Sequence, residues 1–336
     1  MNTSSTHRRA RPLELREALS KYQWLVLATC LATFVLIIIG GVVRTTGAGD
    51  ACPDWPRCHG QLLPPLETKV LIEFSHRLMA SVVGFLVLGI AIAGWRGQRD
   101  PILRWGGVFA VGLVIAQIIL GGATVLSDLS ANIVSAHLAL ASTLLATLIV
   151  LALVSIVPRP ATSNDAVGGF RNLAIVAALA VFVVMMTGSY VSGSGAGLAF
   201  RDWPLFDGSL MPDGGRLAVI QATHRFAVLL LGMLLGYLAL RAWRASFDNP
   251  VLNYGPLFAF VLYVAQALVG AANIWTLLQP SAAAAHLALA ELLWATLLMI
   301  ATVAQLLSVP AARVALTQRD AAPARMRTAA TAGEPS

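Results

Sequence analysis

Apolar residues fill eight long stretches of the chain almost without interruption, at about 22–43, 71–95, 105–126, 134–157, 172–193, 217–240, 251–277 and 283–309. Each is long enough to cross a hydrocarbon core of about 30 Å, which takes about 20 helical residues. None alternates apolar with polar positions as the strands of a membrane barrel do. The first stretch is too long for a secretory signal and lacks a cleavage site behind it. The pattern predicts an all-α integral membrane protein with eight transmembrane helices. Composition agrees, with 57% of the 336 residues hydrophobic and 12% charged, where a soluble domain carries about 25% charge. The mean hydropathy is +0.76.

The polar interruptions repeat. "GAGDACPDWPRCHGQLLP" begins at Gly47 and "GAGLAFRDWPLFDGSLMP" at Gly195, so Asp54, Trp55 and Pro56 recur 148 positions later as Asp202, Trp203 and Pro204. The same offset carries "SHRLM" onto "THRFA", pairing His76 with His224 and Arg77 with Arg225. One further residue of offset aligns "QIILG" at 117 with "QALVG" at 266, and "AHLAL" at 136 with the same string at 285, pairing His137 with His286. The chain is therefore expected to form two tandem four-helix bundles, 22–160 and 161–310, between tails at 1–21 and 311–336. An even number of spans per half inserts both halves in the same direction. That predicts a pseudo-twofold axis along the membrane normal.

Charge fixes the orientation. The net charge is +7, and sixteen of the 23 Lys and Arg residues fall on the side of the two termini. This asymmetry predicts cytoplasmic termini and an extracytoplasmic loop carrying Cys52 and Cys58. The basic charge sets topology and does not imply a nucleic-acid partner. The ends of the chain, 1–15 and 312–336, are rich in Ala, Arg, Thr and Pro without apolar periodicity and are expected to be disordered.

Four of the six histidines lie in predicted helices: His76, His137, His224 and His286. They stand at one depth, near the extracytoplasmic ends of the second and fourth helix of each half. Polar side chains in lipid are costly and mark function, although a single one is commonly a hydrogen bond between helices. Two imidazoles are too few for a zinc site. A haem brings four nitrogens of its own and needs only axial ligands, so the spacing predicts one haem per half. Arg44, Arg77 and Arg225 lie at the same end. They are candidate contacts for haem propionates, with snorkelling to the interface as the alternative.

The two copies differ in informative places. Glu73, three residues before His76 and on its helical face, becomes Gln221, which cannot ionise. This assigns acid–base chemistry to the first half, against the alternative of a carboxylate favoured by a helix N-terminus. Cys52 and Cys58 become Phe200 and Phe206. The cysteine pair is either a structural staple, a redox-active or lid-ordering disulfide, or part of a metal site with His59 that is short of ligands. Glu291, opposite Ser142 in the repeat, carries no assigned role.

With its eight spans, tandem repeat, "EFSHR" and paired "AHLAL" segments, the chain resembles the haem A synthase family over everything between the tails. The resemblance implies an oxidoreductase of the cell membrane that converts haem O to haem A, oxidising the ring C8 methyl to a formyl group for cytochrome oxidase assembly. It implies that His76 and His137 bind the substrate haem and that Glu73 is catalytic. His224 and His286 would then bind a haem b that relays electrons, and Cys52 and Cys58 match the family's cysteine pair. Where some members carry a second pair, this chain has phenylalanines. The implied partners are haem O handed over by a haem O synthase, a membrane electron acceptor such as a quinone, the lipid bilayer and further copies of the chain. A bis-histidine dihaem cytochrome for quinone-linked electron transfer explains the histidines equally but leaves the Glu73/Gln221 contrast unused. A haem or small-molecule transporter would place its polar groups nearer the bilayer midplane.

Overall fold

The computed structural model describes residues 19–61, 64–127, 129–160 and 165–309, and the tails expected to be disordered lie outside them. Eight helices account for nearly all of this: α1 (Lys21–Thr45), α2 (Thr68–Gly97), α3 (Pro101–Leu126), α4 (Ala131–Ile156), α5 (Asp165–Gly193), α6 (Arg216–Ala245), α7 (Pro250–Trp275) and α8 (Pro280–Ser308). All eight are long and apolar enough to cross a membrane. Among the described residues there is no β-strand, only two isolated bridges, Cys58–Gln61 and Phe206–Ser209.

Three helices begin at side chains that accept their free N–H groups. Ser20 and Gln23 form a capping box at α1. Asp100 accepts the Ile102 N–H ahead of α3, and Asn249 accepts the Val251 N–H ahead of α7. Each is followed by proline in the first turn, where its missing N–H costs nothing. Two boundaries depart from the hydropathy reading by five residues or more. α5 starts seven residues earlier than 172, and α6 continues past 240 to Ala245. Hydropathy marks only the part of a helix that lipid would cover, and backbone hydrogen bonding carries on into the polar ends.

In the first half α1–α2, α2–α3, α3–α4 and α4–α1 pack as neighbours, while the backbones of α2 and α4 stay apart on the diagonal. The second half repeats this ring, with α6 and α8 on the diagonal. Each ring closes on an apolar core at the end away from the loops, with Val87, Ile90 and Leu148 in the first half and Leu235, Leu238 and Ile300 in the second. The halves meet through α1–α8, α4–α5 and α4–α8, which makes α8 the most deeply packed helix. Two contacts across this boundary join positions that the repeat makes equivalent. Arg44 donates to Ser192 Oγ at 3.4 Å, and Ser142 Oγ lies 2.6 Å from Glu291 Oε1.

Candidate functional site

His76 and His224 each stand eight residues into their helices, and His137 and His286 six residues into theirs. At about 1.5 Å per residue these are depths of roughly 12 and 9 Å. Because α2 and α4 are diagonal, His76 and His137 approach from opposite sides of the first bundle and lie close enough to interact electrostatically. His224 and His286 do the same in the second. All four rings are half-buried.

Each ring lies against a glycine of the preceding helix. A Cβ built on Gly40 would stand 3.1 Å from the His76 ring, on Gly121 3.3 Å from His137, on Gly188 3.0 Å from His224 and on Gly270 3.0 Å from His286. Only glycine lets the imidazole sit this close to the neighbouring backbone. Gly121 and Gly270 were already visible in the "QIILG"/"QALVG" alignment, and Gly40 and Gly188 obey the 148-residue offset. The alignment pairs Gly121 with Gly270 without connecting either to a histidine, and the Gly40–Gly188 match gains meaning only from the helix packing.

Above the first pair folds the loop between α1 and α2. Asp54 accepts the N–H of His59 at 2.5 Å and of Gly60 at 2.7 Å. Asp202 accepts those of Asp207 and Gly208 at 2.7 and 2.8 Å. Both turns need two successive left-handed residues, and glycine at the second supplies one at no steric cost. Arg77 donates to the carbonyls of Cys52, Asp54 and Arg57, and Arg225 to those of Phe200, Asp202 and Leu205. The guanidiniums of Arg77 and Arg225 therefore hold the loops, whereas Arg44 has a single long bond to Ser192. Trp55 lies over Gly122 of α3, so the loop reaches across the end of the bundle.

Glu73 is buried at 4% exposure. Its Oε2 accepts the Cys52 N–H at 2.8 Å and its Oε1 pairs with Arg77. Gln221, also at 4% exposure, accepts the Phe200 N–H at the same distance and donates to the Gly197 carbonyl at 2.7 Å. Cys52 and Cys58 are joined as a disulfide. His59 Nε2 meets the Ala51 carbonyl at 2.9 Å, so the alternative of a metal site with these cysteines does not form. In the second half Phe200 and Phe206 close the equivalent ring by an edge-to-face contact at 4.9 Å, with Arg225 over both.

Among the described residues no three His, Cys, Asp or Glu side chains gather as a protein-only metal site. A groove of about 440 Å³ between α5 and α6 is wholly apolar. A hollow of about 280 Å³ beside Asn132, Tyr190 and Arg216 lies outside the histidine pairs. Among the described residues, histidines converge only at the two pairs, and the loop contacts of Glu73, Arg77, Gln221 and Arg225 lie above them.

A family model described as cytochrome oxidase assembly protein matches residues 23–298. The chain belongs to this family. It is 32% identical over 257 residues to the heme A synthase of Shouchella clausii, covering 74% of this chain and 85% of that protein. It is 30% identical over 275 residues to the heme A synthase of Geobacillus kaustophilus, covering 79% and 85%. It is 30% identical over 262 residues to that of Staphylococcus saprophyticus, covering 76% and 86%. The matched region contains all four histidines, Glu73 and the cysteine loop, and stops before the tail.

Proposed function

We propose that this chain is a membrane oxidoreductase of haem A biosynthesis, which binds haem O in its first half and oxidises the ring C8 methyl to a formyl group. His224 and His286 would hold a haem b in the second half, whose chemistry there would be electron transfer. The observation that carries this reading is the pair of imidazoles on diagonal helices, built twice at one depth. A haem needs one such ligand on each face, which a pair supplies and a protein-only metal site would exceed. The buried Oε1 atoms of Gln117 and Gln266 lack partners at repeat-equivalent places, one turn before the cradling glycines Gly121 and Gly270, which fits bundle interiors completed by a bound group. The family and the names of its relatives agree.

When bound, the haem supplies the redox chemistry. His76 and His137 hold the substrate ring across the first bundle. The Glu73 carboxylate, one turn from His76, accepts protons released as the methyl is oxidised, and Arg77 and the Cys52 N–H orient it. The disulfide loop with Trp55 limits access of water from above. Gln221 fills the same structural position in the second half but cannot take up a proton, which leaves that half to electron transfer. Arg44 has the guanidinium least engaged by protein and is the one best able to meet a propionate, with Arg77 and Arg225 adding positive charge at the same end.

The meeting of repeat-equivalent positions, Arg44 with Ser192 and Ser142 with Glu291, supports a pseudo-twofold axis between the bundles. With the positive-inside pattern it supports cytoplasmic termini in the cell membrane and an extracytoplasmic cysteine loop. A membrane electron acceptor such as a quinone and delivery of haem O by a haem O synthase complete the scheme.

The test is to express the full chain in membranes with a source of haem O and to identify the extracted haems by mass. Haem A should form, and Glu73→Gln should abolish it while haem b stays bound. Haem O left unchanged by the wild-type chain would overturn the enzyme reading in favour of a dihaem cytochrome.

A further inference from the structure

Three of the four imidazoles leave Nδ1 without a partner. The fourth does not. On α5, Thr187 stands one residue before the glycine that cradles His224, and its Oγ1 lies 2.8 Å from His224 Nδ1 and 2.7 Å from the Val184 carbonyl. A carbonyl only accepts, so the single hydroxyl proton of Thr187 goes to Val184, and the Thr187 oxygen is left to accept from His224 Nδ1–H. The opposite assignment would put the ring proton on Nε2 and remove the lone pair that binds iron. The repeat position of Thr187 in the first half is Ile39, which offers no acceptor. His76 Nδ1 is turned there toward the Leu36 backbone without reaching hydrogen-bond geometry.

We infer that Thr187 is a positioning residue that fixes His224 as the Nδ1–H tautomer with Nε2 directed at the iron, and that this bond makes the second half a site for a resident haem. The inference rests on the assignment of His224 as a haem ligand under the proposed function. A ligand whose second nitrogen is hydrogen-bonded keeps its orientation and becomes a stronger electron donor. A retained cofactor needs both properties. A substrate site that must release its product each cycle does not; His76 has only the Leu36 backbone near its ring, as His286 has that of Gln266, and no side-chain hydroxyl holds either. The same few ångströms of helix thus separate a holding site from an exchanging one by a single hydroxyl.

The test uses the purified full-length protein with its haem b. Two quantities are read: the midpoint potential, and the rate at which haem b passes to excess apomyoglobin. Thr187→Val, which keeps the shape and removes the acceptor, should raise the potential and speed haem b loss by about 10-fold or more, as removal of such partners does for metal ligands. Thr187→Ser should restore both. An unchanged potential and loss rate in Thr187→Val, or equal shifts in Thr187→Ser, overturns the inference, because packing and not the hydroxyl would then matter. Ile39→Thr is the converse variant and should slow release of haem from the first half; an unchanged rate counts against the inference. His224→Ala separates the two levels. If it keeps haem b with an unaltered spectrum, the ligand assignment itself has failed and the inference falls with it. If it loses haem b while Thr187→Val behaves as wild type, only the role of Thr187 is lost.

Discussion

The backbone N–H of Cys52 and the carboxylate of Glu73 are 2.8 Å apart, and in the other half the N–H of Phe200 stands 2.8 Å from the side-chain oxygen of Gln221. One loop-to-helix bond is therefore built twice, once with an acid and once with its amide. In the second half one acceptor and one donor suffice at this position, whereas Glu73 turns an oxygen to each of two donors, the Cys52 N–H and the Arg77 guanidinium. Glu73→Gln keeps the acceptor for Cys52 but turns an amide N–H toward Arg77, so it should unfold somewhat below the wild-type temperature and retain its haems while haem A formation is lost. Glu73→Ala leaves the Cys52 N–H and the Arg77 guanidinium without this partner and should cost about 1–3 kcal/mol. Thermal unfolding of the two variants in one detergent, set beside haem analysis, separates the roles. Equal destabilisation by both would show that the charge itself holds the loop.

The same comparison bears on the cysteines. Where the first loop is closed by Cys52–Cys58, the second is closed by Phe200 on Phe206 beneath Arg225. Cross-linking so short a ring contributes about 2 kcal/mol in the chain-entropy account. Replacing both cysteines by alanine should cost about that much and leave a void against Val70, their packed neighbour. Replacing both by phenylalanine should recover a substantial part, since Arg77 stands where Arg225 does. The measure is the unfolding temperature of the two double variants. If the phenylalanine pair is the worse of the two, the loops are not interchangeable.

Protonation of the loop carboxylates should open the turn. The Gly60 N–H, joined by the His59 N–H, holds the Asp54 carboxyl below the usual carboxylate range. At Asp202 the loss of surrounding water pushes upward, and the Gly208 and Asp207 N–H groups outweigh it. A carboxyl lowered in the fold stabilises it fully above the unfolded-chain value, and that stabilisation disappears as pH falls through the lowered value. The loop should therefore be indifferent to pH from neutrality into mild acid and loosen only below the normal aspartate range. Reduction of Cys52–Cys58 by a phosphine reductant reports this, with a rate flat above about pH 4 and rising below it. Asp54→Asn should show the faster rate at every pH.

The eight spans and the repeat that pairs the four histidines were legible because each rests on a pattern local to the chain or repeated within it. Lipid demands long apolar runs, and the offset of 148 or 149 residues lays His76 on His224 and His137 on His286. The cradling glycines and Thr187 were not legible. Their meaning depends on which helix lies beside which, and the apolar pattern does not encode helix adjacency. Gly40 reads as one small residue among many until α1 is known to pack against α2. The latch on Glu73 was hidden for a different reason, since its partner is a backbone N–H and carries no side-chain signature.

Glu291 was the residue without a role, and its place at the boundary between the halves defines one. It is fully buried, its Oε1 lies 2.6 Å from Ser142 Oγ, and its Oε2 has no partner. Ser142 Oγ is also 3.0 Å from the Leu138 carbonyl. Among the described residues no cation pairs with this carboxyl. What the packing uses is the volume of the side chain and one oxygen aimed at Ser142, both of which glutamine provides. Glu291→Gln should leave the unfolding temperature close to wild type. Glu291→Ala opens a cavity between α8 and α4 and removes the bond that joins the halves, at a cost of about 2–4 kcal/mol. Glu291→Leu, which fills the space without the bond, should fall between them. If leucine matches glutamine, the boundary is held by packing alone. If glutamine is as damaging as alanine, the boundary needs the carboxyl itself and not only its volume and one acceptor oxygen.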